Sequence, residues 1–349
     1  MPEENSIGCN MCDMDLTERY RALLKPSERL VREMATLQGD VLILGAGGKM
    51  GPALATLAKE AIELSGVRKK VIAVARFSDQ EVRPELDAQG IETVKADLLE
   101  DDLASLPDAA NVLYLAGTKF GTTSNEPYTW AMNAWLPGRV ANRYKDSRIV
   151  VFSTGNVYPL VQVQSGGATE ETLPSPIGEY AQSCLGRERI FQYFSSRHNT
   201  PALIYRLNYA NDVSYGVLLE IGKSVREQKP IDLRMGYVNV IWQGDANEIA
   251  LRSLAHCSVP PKILNVTGDE ITSVRSVAET FGEIFGAKPQ FVHEEQGTAL
   301  LSNASEAVRL FGRPRVSLEQ MIALVAAWID TGGKTLNKPT HFQEREGKF

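Results

Sequence analysis

The sequence predicts an α/β protein: a Rossmann-like, doubly wound parallel sheet with a smaller C-terminal lobe. Three observations carry that expectation. Apolar runs such as Val41-Leu42-Ile43-Leu44, Val71-Ile72-Ala73-Val74, Val112-Leu113-Tyr114-Leu115 and Ile149-Val150-Val151-Phe152 alternate with helical stretches, as strands buried on both faces do. The first run ends in Gly45-Ala46-Gly47-Gly48-Lys49-Met50-Gly51, directly before an amphipathic stretch. Right-handed crossovers between such strands place ligands at the carboxyl edge of the sheet.

The elements follow in order. Residues 13–38 carry Leu16, Leu23, Leu24, Leu30, Val31, Met34 and Leu37 among charges. They read as amphipathic helices interrupted at Pro26-Ser27, with Ser27 as a cap. After the glycine turn, Met50, Leu54, Leu57, Ala58, Ala61 and Leu64 share one helical face. Glu92-Thr93-Val94-Lys95-Ala96 reads as the third strand, and Ala202-Leu203-Ile204-Tyr205 and Ile263-Leu264-Asn265-Val266 as later ones. The expected division is an N-terminal extension over 1–38 and a dinucleotide-binding domain over 39–205, to which 236–262 returns. A substrate lobe is expected over 206–235 and 263–330. The polar stretch 331–349 reads as a loosely held tail.

Composition narrows the classes. The chain has 349 residues, 43% apolar and 23% charged, and a formal charge of −6, which suits a globular protein and disfavours nucleic-acid binding. No apolar run reaches the roughly 18–20 residues of a membrane span. The N-terminus, Met1-Pro2-Glu3-Glu4-Asn5-Ser6, is acidic and polar, unlike a secretory signal, so a cytoplasmic location is expected. Cys9 and Cys12 form a lone Cys-x-x-Cys without further ligands nearby, and no metal site is expected.

The glycine turn suits a pyrophosphate, because residues without side chains let it approach the free N–H groups of a helix start. The second strand ends Val74-Ala75-Arg76-Phe77-Ser78. An acid at its tip would bind a ribose 2′-hydroxyl, whereas Arg76 with Ser78 suits a 2′-phosphate. The reading is NAD(P), leaning towards NADP.

Two further segments are Ser153-Thr154-Gly155-Asn156-Val157-Tyr158 and Tyr180-Ala181-Gln182-Ser183-Cys184. With the glycine turn, they resemble the extended short-chain dehydrogenase/reductases of the NAD-dependent epimerase/dehydratase family, in particular UDP-galactose 4-epimerase-like enzymes. The resemblance spans about residues 40–330. It implies that Gly45, Gly48, Lys49, Met50 and Gly51 hold the cofactor pyrophosphate and that Asp97 and Leu98 meet the adenine. It places Ala116, Gly117, Lys119, Asn133 and Tyr180 beside the cofactor. It makes Tyr180 the proton shuttle and Thr154 the hydroxyl that orients the substrate oxygen.

The family's lysine, four residues after the tyrosine, is here Cys184. A thiol cannot supply the cation that favours a tyrosinate; Lys119 and Arg187 are the candidates to replace it. The family's 4,6-dehydratases carry an Asp-Glu pair after the threonine, and Gly155-Asn156 argues against that reaction. Ser153, Asn156, Asn208, Asn239, Trp242 and Gln243 are the candidate substrate contacts. The implied activity is that of an NAD(P)-dependent epimerase or oxidoreductase acting on a sugar or nucleotide-sugar-like carbohydrate. The alternative is a cofactor-binding sensor with weakened catalysis. A homodimer is expected through helices near 127–145 and 178–196.

Overall fold

Seven strands, all parallel, form the central sheet: β1 (Val41–Leu44), β2 (Val71–Ala75), β3 (Glu92–Lys95), β4 (Asn111–Tyr114), β5 (Arg148–Thr154), β6 (Ala202–Leu207) and β7 (Lys262–Val266). Their order is β7-β6-β5-β4-β1-β2-β3. The direction of winding reverses between β1 and β4, which opens a crevice there. This computed structural model describes residues 15–119, 121–122 and 124–348; Cys9 and Cys12 lie outside them.

The helices are α1 (Leu16–Ala22), α2 (Glu28–Thr36), α3 (Gly51–Leu64), α4 (Val82–Ala88), α5 (Glu126–Trp130), α6 (Leu136–Arg143), α7 (Gly178–His198), α8 (Val217–Arg226), α9 (Gln243–Arg252), α10 (Val274–Phe285), α11 (Ser305–Phe311) and α12 (Leu318–Asp330). β1, β2 and β4 are buried along their whole length, since both faces of the sheet are covered. Leu54, Ala58 and Ala61 of α3 close one face with Ile249 and Ala250 of α9. Leu136 and Val140 of α6 close the other with Phe191 of α7. All ten residues of α9 are buried, so this segment returns to the sheet after the chain has visited the lobe.

α8, α10 and α12 share a second core around Leu218, Val277, Phe281, Ile322 and Val325. The break at Pro26-Ser27 sends α1 and α2 to different cores. Leu30 and Met34 of α2 enter the sheet core, while Leu16, Tyr20 and Leu23 pack against the lobe. Ser27 caps α2 by accepting from the Leu30 N–H at 3.1 Å and donates its own proton to Glu248 at 2.5 Å.

The stretch after α12 is not a loose tail. Phe342 is 1% exposed and sits in the lobe core. The Leu336 N–H donates to the Ser214 carbonyl at 3.0 Å. Arg345 donates to the carbonyls of Arg234 and Thr298 at 2.9 and 2.8 Å. One apolar anchor and bonds to backbone suffice to hold it, so its polar composition was misleading. It ends against the start of α7, where Gly347 and Gly178 touch; a side chain on Gly178 would lie 2.2 Å from the Gly347 carbonyl oxygen.

Candidate active site

The glycine turn lies at the crevice. Gly45 has φ +90°, and a methyl group there would lie 2.6 Å from the Ala116 nitrogen, so the β1 and β4 loops can meet only at glycine. A groove of about 220 Å³ runs from this turn past Arg76, Phe77, Ser78, Asp97, Leu98, Ala116 and Met132. A second cavity, about 450 Å³, continues past Gly48, Lys49, Met50, Gly51, Gly117 and Lys119 to Thr154, Asn156 and Tyr180. The two share Gly45, Gly48, Leu115 and Gly117. The turn thus sits midway along one continuous cleft, with the shape a dinucleotide requires. Arg76 reaches Asp97 at 3.7 Å.

Tyr180 enters this cleft from the first turn of α7. A chain of hydrogen bonds runs through it. Asn156 donates to the Thr154 hydroxyl oxygen twice, from its backbone N–H at 3.2 Å and its amide at 2.9 Å. Tyr180 is in turn hydrogen-bonded to Thr154 and to Cys184. Burial, followed by the Cys184 sulfur, pushes the Tyr180 phenol well above its ordinary pKa; the Arg187 charge and the Thr154 bond oppose this. Burial likewise raises the Cys184 thiol. Four residues after Tyr180 this chain thus places a buried thiol against the phenol.

Of the two replacement cations, Arg187 acts the more strongly on the phenol, favouring the tyrosinate. Its guanidinium is anchored by the Phe152 carbonyl at 2.8 Å and the Asn133 side-chain oxygen at 2.7 Å. Lys119 lies with its Nζ 5.8 Å from the Tyr180 ring centroid and donates to the Thr340 carbonyl at 3.1 Å. Burial lowers its pKa to about 8.

Several sequence candidates are placed elsewhere. Asn133 is fully buried and does not line the cleft. Its oxygen accepts from Thr118 and Arg187, and its amide donates to Thr118 and Ser183; it positions the 117–119 loop rather than offering a free amide. Ser153 borders the cavity but commits its proton to Glu188 at 2.6 Å. Trp242 is wholly buried, bonded to the Leu23 carbonyl at 3.2 Å and edge-on to Tyr20, so it joins α1 to the lobe. Asn239 is buried too, giving its oxygen to Asn208 at 3.1 Å and its amide to the Ser302 carbonyl. Asn208 and Gln243 do line the cavity.

The sequence reading missed two groups. Glu188 and Arg206 form a buried pair at 2.6 Å, both at most 1% exposed, and Arg206 also donates to the Tyr158 hydroxyl at 2.6 Å. Tyr158 in turn donates to Asn265 at 2.9 Å. The network ties α7 to β5, β6 and β7. An acid four residues after Cys184 and a strand arginine were its only signal. The second group, Tyr209, Tyr215, Lys338 and Thr340, closes the cavity from the lobe and the C-terminal stretch; no motif marks it.

Residues 41–211, which carry six of the seven strands of the sheet, match the profile of the NAD dependent epimerase/dehydratase family. No curated protein matches the sequence. Among solved structures, UDP-glucuronic acid 4-epimerase from Bacillus cereus, in complex with NAD, is similar with a TM-score of 0.69 at 18% identity, over 84% of this chain and 100% of its own. The enzyme WbmG from Bordetella bronchiseptica, in complex with NAD, has a TM-score of 0.69 at 18% identity, over 86% and 96%. UDP-glucose 4-epimerase from Thermotoga maritima, with UDP-glucose, has a TM-score of 0.66 at 15% identity, over 84% and 99%. These likenesses establish the fold. Among the described residues no helix is long and apolar enough to cross a membrane.

Proposed function

We propose that this protein is an NAD(P)-dependent epimerase or oxidoreductase acting on the carbinol of a sugar-like substrate by reversible hydride transfer. The hydrogen-bond chain from Asn156 through Thr154 and Tyr180 to Cys184, set at the end of a dinucleotide-shaped cleft, carries this reading. The nicotinamide, when bound, supplies the hydride acceptor and donor. Tyr180 exchanges a proton with the substrate oxygen, Thr154 orients that oxygen, and Arg187 supports the tyrosinate when it forms. Burial keeps the Tyr180 phenol protonated at rest, so the resting form is the one that reduction of a ketone requires, and oxidation first needs the tyrosinate. Arg76 and Ser78 line the groove beyond the glycine turn, and a guanidinium beside a hydroxyl suits a 2′-phosphate, so NADP is proposed over NAD; the ratio of the two dissociation constants tests this.

The raised Tyr180 pKa also favours a second reading, a cofactor-binding sensor without turnover. The experiment is to follow the nicotinamide absorbance of the purified protein with a panel of ketoses and sugars. Turnover that Tyr180→Phe abolishes supports the enzyme; tight cofactor binding without turnover on any panel member supports the sensor. A homodimer is proposed as well. Trp135 and Tyr193 are 57% and 55% exposed on neighbouring helical segments, whereas Leu136 and Phe191 are core. A monomeric mass by light scattering at micromolar concentration overturns the dimer.

A further inference from the structure

Both ends of the chain converge on one turn of the lobe. The turn runs from Asp212 to Tyr215, just before α8, and closes on itself, the Asp212 N–H donating to the Tyr215 carbonyl at 2.7 Å. The Asp212 carboxylate stiffens it by accepting from the Ser214 N–H and hydroxyl at 2.9 and 2.7 Å. From the N-terminal side, the Tyr20 hydroxyl of α1 donates to the same carboxylate at 2.9 Å. From the C-terminal side, the Leu336 N–H donates to the Ser214 carbonyl at 3.0 Å. The proposed chemistry uses neither chain end, yet together they hold Tyr215 at the edge of the cavity.

Tyr215 meets the glycine turn there. The Lys49 Nζ lies 3.5 Å from the centroid of its ring, a distance at which an ammonium is attracted to the ring face. Burial, followed by the charges of Lys119 and Lys338, brings Lys49 down to about 7, against the pull of Glu220. The ammonium, and with it this attraction, prevails on the acid side of neutrality.

A second contact joins the same two parts of the molecule. Thr340 of the C-terminal stretch lines the cavity and is 3% exposed. Its carbonyl accepts from Lys119 at 3.1 Å, while its N–H and hydroxyl are committed to Glu220 of α8, the hydroxyl at 2.8 Å. Phe342, two residues on, anchors the stretch in the lobe core. Lys49 and Lys119 stand on the loops after β1 and β4, in the half that would hold the dinucleotide. A dinucleotide with its pyrophosphate at Gly45 to Gly51 and its nicotinamide at Tyr180 would occupy the cavity that Lys49, Lys119, Tyr215 and Thr340 all line.

We propose that the Asp212–Tyr215 turn and the C-terminal stretch form a clasp: Tyr215 on Lys49 and Thr340 on Lys119 join the lobe to the dinucleotide-binding half, and bound NAD(P) leaves only when the clasp opens. Reversible hydride transfer at one carbinol needs the reduced cofactor to stay in place between its two halves, so the clasp rests on the function proposed above. The test is stopped-flow release of NADPH and of NADH from the full chain, chased with excess oxidised cofactor and followed by nicotinamide fluorescence. It is run at about pH 6.5, below the Lys49 pKa of about 7. Tyr215→Leu should speed release about three- to tenfold, the range of one partly desolvated cation–π contact, with association little changed. Tyr215→Phe, which keeps the ring, should release as the parent does. Thr340→Val, which loses the hydroxyl bond to Glu220, tests the other contact independently and should speed release about two- to fivefold. Lys49→Met separates the clasp from a direct contact between Tyr215 and the cofactor. In that background Tyr215→Leu should add less than about twofold, since its partner is already gone; effects that multiply in full overturn the clasp. Release unchanged in Tyr215→Leu and Thr340→Val also overturns it and leaves the proposed function standing, whereas failure of either dinucleotide to bind removes both.

Discussion

The two walls of the cleft are built from different materials. On one side, Gly45 to Gly51 offer backbone and a helix start, and their fit depends on the absence of side chains. On the other side, α7, the loop after β4 and the C-terminal stretch offer Tyr180, Cys184, Lys119 and Lys338, and everything depends on side chains. A backbone site tolerates little change of residue and so keeps its motif. A side-chain site can reverse its polarity by one substitution while the fold stays the same, and Cys184 in place of the family's lysine is such a substitution.

The largest effect is expected beneath the catalytic wall. Glu188→Ala leaves the Arg206 guanidinium buried and unpaired, which should cost about 3–5 kcal/mol, read by urea unfolding. A loss below about 1 kcal/mol would show that water or Tyr158 replaces the carboxylate, and that the network does not hold α7. Next comes Tyr180→Phe, which removes the proton donor and should lower turnover by about 10²–10⁴-fold with cofactor affinity kept. Residual activity near that of the parent would move the acid–base role to another group.

The backbone wall gives a smaller number. At Gly48 an added Cβ meets only the Gly45 carbonyl, at 3.4 Å, so Gly48→Asp should fold. Its carboxylate would face the pyrophosphate, and dinucleotide affinity should fall by about ten- to hundredfold through charge repulsion. Unchanged affinity by calorimetry would break the assignment of this wall.

The same contrast explains what could be read from the sequence. Six of the seven strands were legible as short, largely apolar runs between helices, β3 (Glu92–Lys95) being a half-exposed edge strand, and the glycine turn because steric need leaves little choice of residue. Thr154, Tyr180 and Cys184 were singled out through the family resemblance, and the structure brings Thr154 and Tyr180 to one cavity with Cys184 bonded behind. The roles of Asn239 and Trp242 were not, because an amide or indole suited to sugars is equally suited to bonding a buried carbonyl, and both do so here. Lys338 and Thr340 were illegible because their place depends on how Phe342 and Arg345 fix a polar segment across the lobe, and no local pattern encodes that.

The smallest expected effect concerns the polarity of the side-chain wall. Tyr180 must be a tyrosinate to take a proton during substrate oxidation and a phenol to give one during reduction. Its pKa is held well above the ordinary value by burial and by the neighbouring Cys184 sulfur. Below that pKa the reactive tyrosinate fraction grows tenfold per pH unit, so the oxidation rate should rise with pH without a plateau in the accessible range. Cys184→Ala removes one cause of the elevation. The pKa should fall by about half a unit to one unit, the worth of one hydrogen bond. Oxidation at any fixed pH should then speed up by about three- to tenfold, while reduction, which uses the phenol already present, should barely change. Lys119→Met serves as the control. Lys119 borders the cavity 5.8 Å from the Tyr180 ring, but Arg187 acts more strongly on the phenol, so loss of Lys119 should raise KM more than it lowers kcat for oxidation. If Lys119→Met instead slows kcat for oxidation tenfold and Cys184→Ala does nothing, the lysine is the catalytic cation and the cysteine is packing.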